Sequence, residues 1–349
     1  DLSTRIKNAG AKRTRAICAI GKGAEMRRIY TGTPVPNGPF DIYPQVKFLD
    51  EDFWKRHGYA NFAAFKAYFG VWRTDVNSAT GGRFEYCVAY RHLDELYEIL
   101  QEITDRLTKD EVLDLPEKLY TPERFNMSPE QSKLYESLKD ECIAWLDDGG
   151  GAVTAEMPIV KLLRLQQIAS GWVPRSDEDI EAGDEEPIYE IPGKTPRVEL
   201  LGEIVEDLPH PAIIWARFRG DIDRIGAKLD AMGKTWVRYD GAIPPGPERA
   251  EAKRQFNEGE VQFFVGNPAV GGQGLTLIRA KTTIYYSNSF DLDQRLQSED
   301  RNHRIGQDVP VNYVDLIARG TVDSQIIQAL RRKINVASMI TGDQLREWL

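Results

Sequence analysis

Two arginines three positions apart carry the clearest chemical signal in the sequence. Arg301 and Arg304 lie in Asp293-Gln294-Arg295-Leu296-Gln297-Ser298-Glu299-Asp300-Arg301-Asn302-His303-Arg304-Ile305-Gly306-Gln307. On a helix, residues at that spacing share a face. Two guanidiniums aimed the same way suit phosphate oxygens, because each planar fork offers directional donors and keeps its proton. Set against a phosphoryl group in transfer, they stabilise the charge that develops there. The competing use is a surface ion-pair set with Glu299 and Asp300. His303 reads as a packed or solvent-facing residue rather than a catalyst. A second candidate is Gly266-Asn267-Pro268-Ala269-Val270-Gly271-Gly272-Gln273-Gly274-Leu275-Thr276-Leu277. Its three glycines in four positions let the backbone approach another surface closely. Exposed amides there can hold a phosphate of DNA or nucleotide, although such a cluster also serves as a plain turn. The third is Thr31-Gly32-Thr33-Pro34, after the short run Arg28-Ile29-Tyr30. Its hydroxyls and glycine turn suit a relay between a nucleotide and a nucleic-acid path, but alone it is only a turn.

The elements that must position these residues follow from hydrophobic patterning. Beyond residue 190, short apolar runs alternate with amphipathic stretches. The runs are Ala212–Trp215, Thr235–Tyr239, Val261–Val265, Thr283–Tyr286 and Val311–Ile317. Helices are predicted at about 221–232, 247–257, 293–301 and 321–336. That alternation predicts a parallel sheet covered on both faces, with ligands meeting the carboxyl ends of its strands. Before residue 175 the pattern is mainly helical. Leu93, Leu96, Tyr97, Leu100 and Ile103 recur at helical spacing, as do Ile159, Leu162, Leu165 and Ile168. The aromatics of 50–72 read as a helical core.

The 349 residues suffice for two domains of roughly 150 each, and the composition, 41% hydrophobic and 28% charged, is that of a globular protein. No apolar run approaches the roughly 18 residues of a membrane span, so no membrane role is expected. Cys18, Cys87 and Cys142 lie far apart without CxxC spacing, which fits a reducing compartment rather than a zinc site or disulfide framework. A cytoplasmic setting, in a bacterial or phage-infected cell, is the expectation. The net charge of −9 argues against nucleic acid at first sight. The charge is segregated, however. Arg5, Lys7, Lys12, Arg13, Arg15, Lys22, Arg27 and Arg28 crowd residues 1–28, whereas 177–190 carries eight acids and no base. With Gly183 and Pro187 inside it, the acidic run reads as an exposed connection between two halves.

In order along the chain, these segments resemble the SWI/SNF-like branch of helicase superfamily two. Thr31-Gly32-Thr33-Pro34 with Asn37 resembles the third motif of that family, and Arg106 to Lys118 resembles its RxTKxxVLxxLPxK segment. Ile213 to Phe218 is similar to the fourth motif, Gly271 to Leu275 to the fifth, and Gln297 to Gln307 to the sixth. Asp1-Leu2-Ser3-Thr4-Arg5-Ile6-Lys7-Asn8 is similar to the acidic second motif, Asp-Glu-x-x-x-Ile-Lys-Asn.

The resemblance implies an α/β, RecA-like P-loop helicase fold: a partial first lobe with helical protrusions and a complete parallel-sheet second lobe. On that basis residues 1–45 are a remnant of the first lobe, 46–175 a mainly helical insertion, 176–193 the acidic linker, 194–336 the second lobe and 337–349 a tail. ATP and Mg²⁺ are the implied cofactors, and double-stranded DNA the implied partner. Arg301 and Arg304 would serve as arginine fingers, with Gln297 and Gly272 lining the nucleotide cleft. Arg217, Gln273, Gly274 and Thr276 would touch the DNA backbone, and Thr31, Gly32 and Thr33 would couple the two sites. In one register Asp1 is the catalytic, magnesium-linked acid and Leu2 replaces the water-activating glutamate; in a shifted register Asp1 is the second acid of a pair.

The sequence contains no Gly-x-x-x-x-Gly-Lys-[Ser/Thr]. The expectation is therefore that ATP and Mg²⁺ need an N-terminal half of the motor, as a separate chain or a removed segment, and that the isolated chain is inactive. Two alternatives stand beside the motor: a non-hydrolysing DNA-binding or regulatory module, and an RNA-directed helicase.

Overall fold

The five apolar runs form strands, and with one further, more polar strand they assemble into a six-stranded sheet. The computed structural model describes residues 3–76, 82–107, 109–147, 156–173, 189–271 and 274–341. Strands β1 (Gly70–Val76) and β2 (Arg83–Tyr90) form an antiparallel ribbon, and β3 (Lys118–Phe125) follows. A short pair, β4 (Trp172–Val173) and β5 (Tyr189–Glu190), precedes β6 (Ala212–Trp215), β7 (Trp236–Tyr239), β8 (Phe263–Gly266), β9 (Thr282–Tyr285) and β10 (Val311–Ala318). The large sheet runs β3-β10-β9-β6-β8-β7 with every neighbouring pair parallel.

Helices cover both faces, as all-parallel pairing requires. The described helices, of which α1 to α5 lie away from the sheet, are α1 (Lys12–Gly21), α2 (Ile42–Leu49), α3 (Phe53–Arg56), α4 (Phe62–Phe69), α5 (Leu93–Gln101), α6 (Lys109–Val112), α7 (Pro129–Asp147) and α8 (Glu156–Ala169). Then come α9 (Pro196–Glu206), α10 (Arg219–Ala231), α11 (Pro247–Glu258), α12 (Pro268–Gly271), α13 (Leu292–Glu299) and α14 (Val322–Thr341). Ile214, Val265 and Ile284 face one way, against Leu201 and Val205 of α9 and Ile222 and Ile225 of α10. Ile213, Trp215, Phe264 and Tyr313 face the other way, against Ala252 and Phe256 of α11. The alternation of burial partners along β6 is the period-two consequence of the pleat.

Four outcomes differ from the expected boundaries. The sheet reaches outside 194–336, because β3 pairs along its whole length with β10. Pro122 is tolerated in β3 because β3 is an edge strand. The tail expected from 337 is helical to Thr341, with Ile340 buried among the aromatics Tyr43, Trp54 and Phe65 of the first 70 residues. The end of the expected linker is packed: Ile191 is buried in the second-lobe core. The region read as mainly helical also contains the ribbon β1–β2. The rest of the acidic run, 177–188, lies outside the described residues.

The aromatic stripe forms the core expected of it: Phe53, Trp54, Phe65 and Phe69 are buried, and the indole of Trp54 donates to the Tyr43 carbonyl oxygen at 2.9 Å. Because α14 packs Val322, Ile326 and Leu330 near the sheet and Ile340 in the aromatic core, it ties the two regions together.

Candidate functional site

Helix α13 carries the first half of the arginine motif. Asp291 caps it, its side chain accepting from the Gln294 amide. Leu292, Arg295, Ser298 and Glu299 turn inward at helical spacing, leaving Asp293 and Gln297 half-buried on another face. The inward face is polar, which periodicity alone does not anticipate. Arg295, buried, grips Asp315 with two bonds of 2.5 and 3.0 Å, donates to Glu299 at 2.8 Å and lies 3.5 Å from the Tyr285 ring centroid. Lys118 and Tyr120 of β3 also donate to Glu299, at 2.8 and 2.9 Å. Burial acts to raise the Glu299 carboxyl, yet Lys118 and Arg295 hold it below its usual value.

That network decides the status of Arg301 and Arg304. Glu299 is taken by Arg295 and Lys118, and Asp300 pairs with Lys109 at 2.5 Å. Neither arginine makes an ion pair among the described residues, so the surface ion-pair use is not the one adopted. Arg301 donates to the Gln297 carbonyl at 2.6 Å and the Leu275 carbonyl at 3.2 Å. Arg304 donates to the same Leu275 carbonyl at 3.3 Å and to the Thr276 hydroxyl at 2.9 Å. Two like charges thus converge on one carbonyl oxygen. Burial lowers the pKa of Arg301; Asp300 opposes that and Arg304 adds to it. A half-buried pair of cations that makes no ion pair among the described residues is electrostatically prepared for an anion. Gly306 reverses the chain just beyond, with φ +98°, a conformation glycine adopts at little cost. His303 is packed: its Nε2 donates to the Pro116 carbonyl at 2.7 Å, and burial lowers its pKa.

The Thr31-Gly32-Thr33 turn reaches this motif directly. Thr33 Oγ1 donates to Asp293 Oδ1 at 2.5 Å, and Gln297 Nε2 donates to the same oxygen at 2.9 Å. The Thr33 amide donates to Thr31 Oγ1 at 3.2 Å, while Gly32 is exposed. The preceding run Arg28-Ile29-Tyr30 forms no strand. Asp293 was not among the expected site residues; its i, i+4 spacing from Gln297 was the available signal.

The proposed DNA contacts divide. Thr276 stands with Arg304, not with Arg217. Gly274, two residues earlier, is exposed with φ +72°. Arg217 lies just past the end of β6. Its amide donates to Ser287 at 2.8 Å and its guanidinium to Gln166 at 2.5 Å, while its carbonyl accepts from Asn267 at 2.6 Å. Asp1, Gly272 and Gln273 lie outside the described residues, and so does Leu2. Among the described residues no three His, Cys, Asp or Glu side chains gather where they would hold a metal ion.

Ser287 connects Arg217 to a buried acid. Asp221, wholly inaccessible, accepts from the Trp172 indole at 2.7 Å and from Ser287 at 3.1 Å. Burial pushes its carboxyl up to about 6, against the pull of Trp172, Arg224 and Arg197. A native pKa above the unfolded value means the folded state takes up this proton first as pH falls. The cost of the buried charge is therefore present above pH 6 and relieved towards pH 4. In chemical denaturation, Asp221→Asn is expected to gain on the parent by up to about 3 kcal/mol as pH rises from 4 to 7. A difference independent of pH would contradict it.

With that geometry in place, comparison with known proteins adds the following. A SNF2-related domain matches residues 1–170, and a helicase conserved C-terminal domain matches residues 196–306. TATA-binding protein-associated factor 172 of Homo sapiens is 24% identical over 97% of this chain and 20% of its own length. Chromodomain-helicase-DNA-binding protein 1-like of Mus musculus is 24% identical over 97% of this chain and 36% of its own. The chain thus spans between a fifth and about a third of the length of these curated relatives. The crystal structure of the C-terminal part of the Fun30 ATPase domain aligns with a TM-score of 0.51 at 16% identity, covering 65% of this chain and 97% of that one. At that identity the likeness concerns the fold, which is RecA-like.

Proposed function

The chain belongs to the SWI/SNF-like branch of helicase superfamily two, and from that premise we propose that it is the larger, C-terminal part of an ATP-dependent double-stranded DNA translocase or helicase. The observation that carries this reading is the convergence of Arg301 and Arg304, which make no ion pair among the described residues, on the Leu275 carbonyl. ATP, when bound with Mg²⁺, supplies the phosphoanhydride bond to be broken. The two guanidiniums bind and orient its γ-phosphate and neutralise charge on its oxygens. Gln297 and Gly272 are assigned to binding the same nucleotide, and Thr31, Gly32 and Thr33 to coupling it to DNA. Arg217, Gln273, Gly274 and Thr276 meet the DNA backbone, so binding is sequence-tolerant and weakens with salt. Asp1 is the acid assigned to magnesium.

The phosphate-binding loop comes from outside these 349 residues, which contain no Gly-x-x-x-x-Gly-Lys-[Ser/Thr]. The complete motor is accordingly this chain together with the polypeptide that supplies that loop. A relative named for DNA binding supports DNA as the partner.

The test is ATP hydrolysis by the complete motor with duplex DNA, duplex RNA or neither. Stimulation by duplex DNA above duplex RNA is expected. Stimulation by RNA alone would move the reading to an RNA-directed helicase. Duplex binding without hydrolysis would favour a non-hydrolysing DNA-binding module.

A further inference from the structure

We propose that Asp293 is a positioning residue: the joint through which the Thr31-Gly32-Thr33 turn sets the place of Gln297 and the arginine pair. This rests on the motor reading above. One carboxylate oxygen of Asp293 accepts from both Thr33 Oγ1, at 2.5 Å, and Gln297 Nε2, at 2.9 Å. The backbone carbonyl of that same Gln297 accepts from Arg301 Nε at 2.6 Å. Arg301 and Arg304 then share the Leu275 carbonyl. An unbroken hydrogen-bonded series therefore runs from residue 33 to residue 304, and in it the Asp293 side chain is bonded to both the turn and the helix.

Asp293 makes no ion pair among the described residues. Its charge is held by two neutral donors and by the N-terminal end of α13, where an acid in the first turn is favoured. The arrangement gives Gln297 two places: on Asp293, or turned to an anion beside the arginines. When the amide leaves, Thr33 becomes the sole donor to that oxygen; when Thr33 leaves, the amide does. What occupies the cleft is thereby felt at the turn, and displacement of the turn is felt at the cleft.

A second tie keeps the turn in register with the helix. Lys333 of α14 donates to the Phe290 carbonyl at 2.7 Å and to Asn37 Oδ1 at 3.3 Å. Asn37 is itself held by Asp41, at 2.8 Å through its amide. Residues 33 and 37 are thus fastened at two points to the segment that begins α13. A shift of the turn is carried to the helix rather than dissipated.

The experiment measures the ratio of DNA-stimulated to basal turnover in the complete motor for Asp293→Ala, Asp293→Asn, Thr33→Val and Thr33→Ser. Asp293→Ala and Thr33→Val are expected to lower the ratio at least tenfold, with the double variant no worse than the poorer single one. Asp293→Asn keeps an oxygen that accepts from both donors, and Thr33→Ser keeps the hydroxyl. Both are expected to stay within about threefold of the parent. A purely structural role would lower thermal stability without separating the alanine from the asparagine variant in this ratio. Wild-type coupling in both Asp293→Ala and Thr33→Val, or additive losses in the double variant, overturns the inference. If Arg304→Ala also turns over normally, the finger reading falls with it; if Arg304→Ala is dead while the Asp293 and Thr33 variants are normal, only the joint falls.

Discussion

Arg304→Ala is expected to lower DNA-stimulated ATP turnover in the complete motor by about 10³- to 10⁵-fold, the range over which arginine fingers act, while duplex binding stays near the parent value. Arg304 gives up only a threonine hydroxyl and a shared carbonyl when removed. It has no ion pair among the described residues whose loss would leave a buried carboxylate exposed. Its loss should therefore cost little stability and fall chiefly on chemistry. Arg301→Lys extends the argument. Arg301 reaches two carbonyls, of Gln297 and Leu275, through different nitrogens of one planar group. An ammonium is a point charge and does not span both acceptors while facing a phosphate. Turnover should fall although the charge is kept. Normal turnover in Arg304→Ala with lost duplex affinity would instead place this arginine on the DNA.

Arg295→Ala should destabilise the fold by about 3–5 kcal/mol in equilibrium denaturation, the usual cost of removing one member of a buried ion pair. The structure gives three reasons for the upper part of that range. Asp315 and Glu299, both wholly buried, each lose a charged donor, and Asn288 loses a hydrogen bond. Asp315 sits on β10, and Glu299 is also bonded to Lys118 and Tyr120 on β3, so the loss weakens the joint between α13 and the sheet edge. The ring of Tyr285 loses the cation resting 3.5 Å from its centroid. A loss below about 1 kcal/mol would mean that water or another cation compensates both acids. Arg295 and Arg301 stand six residues apart in one motif and differ in kind. The first is consumed by structure; the second has its donors turned to carbonyls.

Much of this was legible in the sequence, for physical reasons. The apolar runs gave β6 with both ends correct, because inner strands of a parallel sheet are buried on both faces and appear as continuous apolar stretches. Helices α5 and α8 followed from their spacing. The ribbon β1–β2 was missed although Phe84, Tyr86, Val88 and Tyr90 alternate. Most of both faces lies open to solvent, so no core reinforces the period, and Phe84 and Tyr86 are themselves exposed. Strand β3 was missed because it carries Lys118, Pro122, Glu123 and Arg124, and its partner β10 lies nearly 200 residues further on.

The site divides the same way. Arg301, Arg304 and Gln297 are readable because their roles reside in one short motif. Asp293 is not, because what distinguishes it is Thr33, 260 positions away. Nor does the sequence say which acids take Arg295 and leave Arg301 and Arg304 without an ion pair among the described residues; that depends on where β3 and β10 meet α13.

The central claim is that this chain supplies arginines to ATP held elsewhere, and one measurement addresses it most directly. ATP hydrolysis is followed for the 349-residue chain alone and then with the phosphate-loop polypeptide added, each with and without duplex DNA. The account predicts no turnover from the chain alone, and DNA-stimulated turnover on addition that Arg304→Ala abolishes. DNA-stimulated hydrolysis by the chain alone would contradict it, because ATP would then be held without the usual phosphate loop.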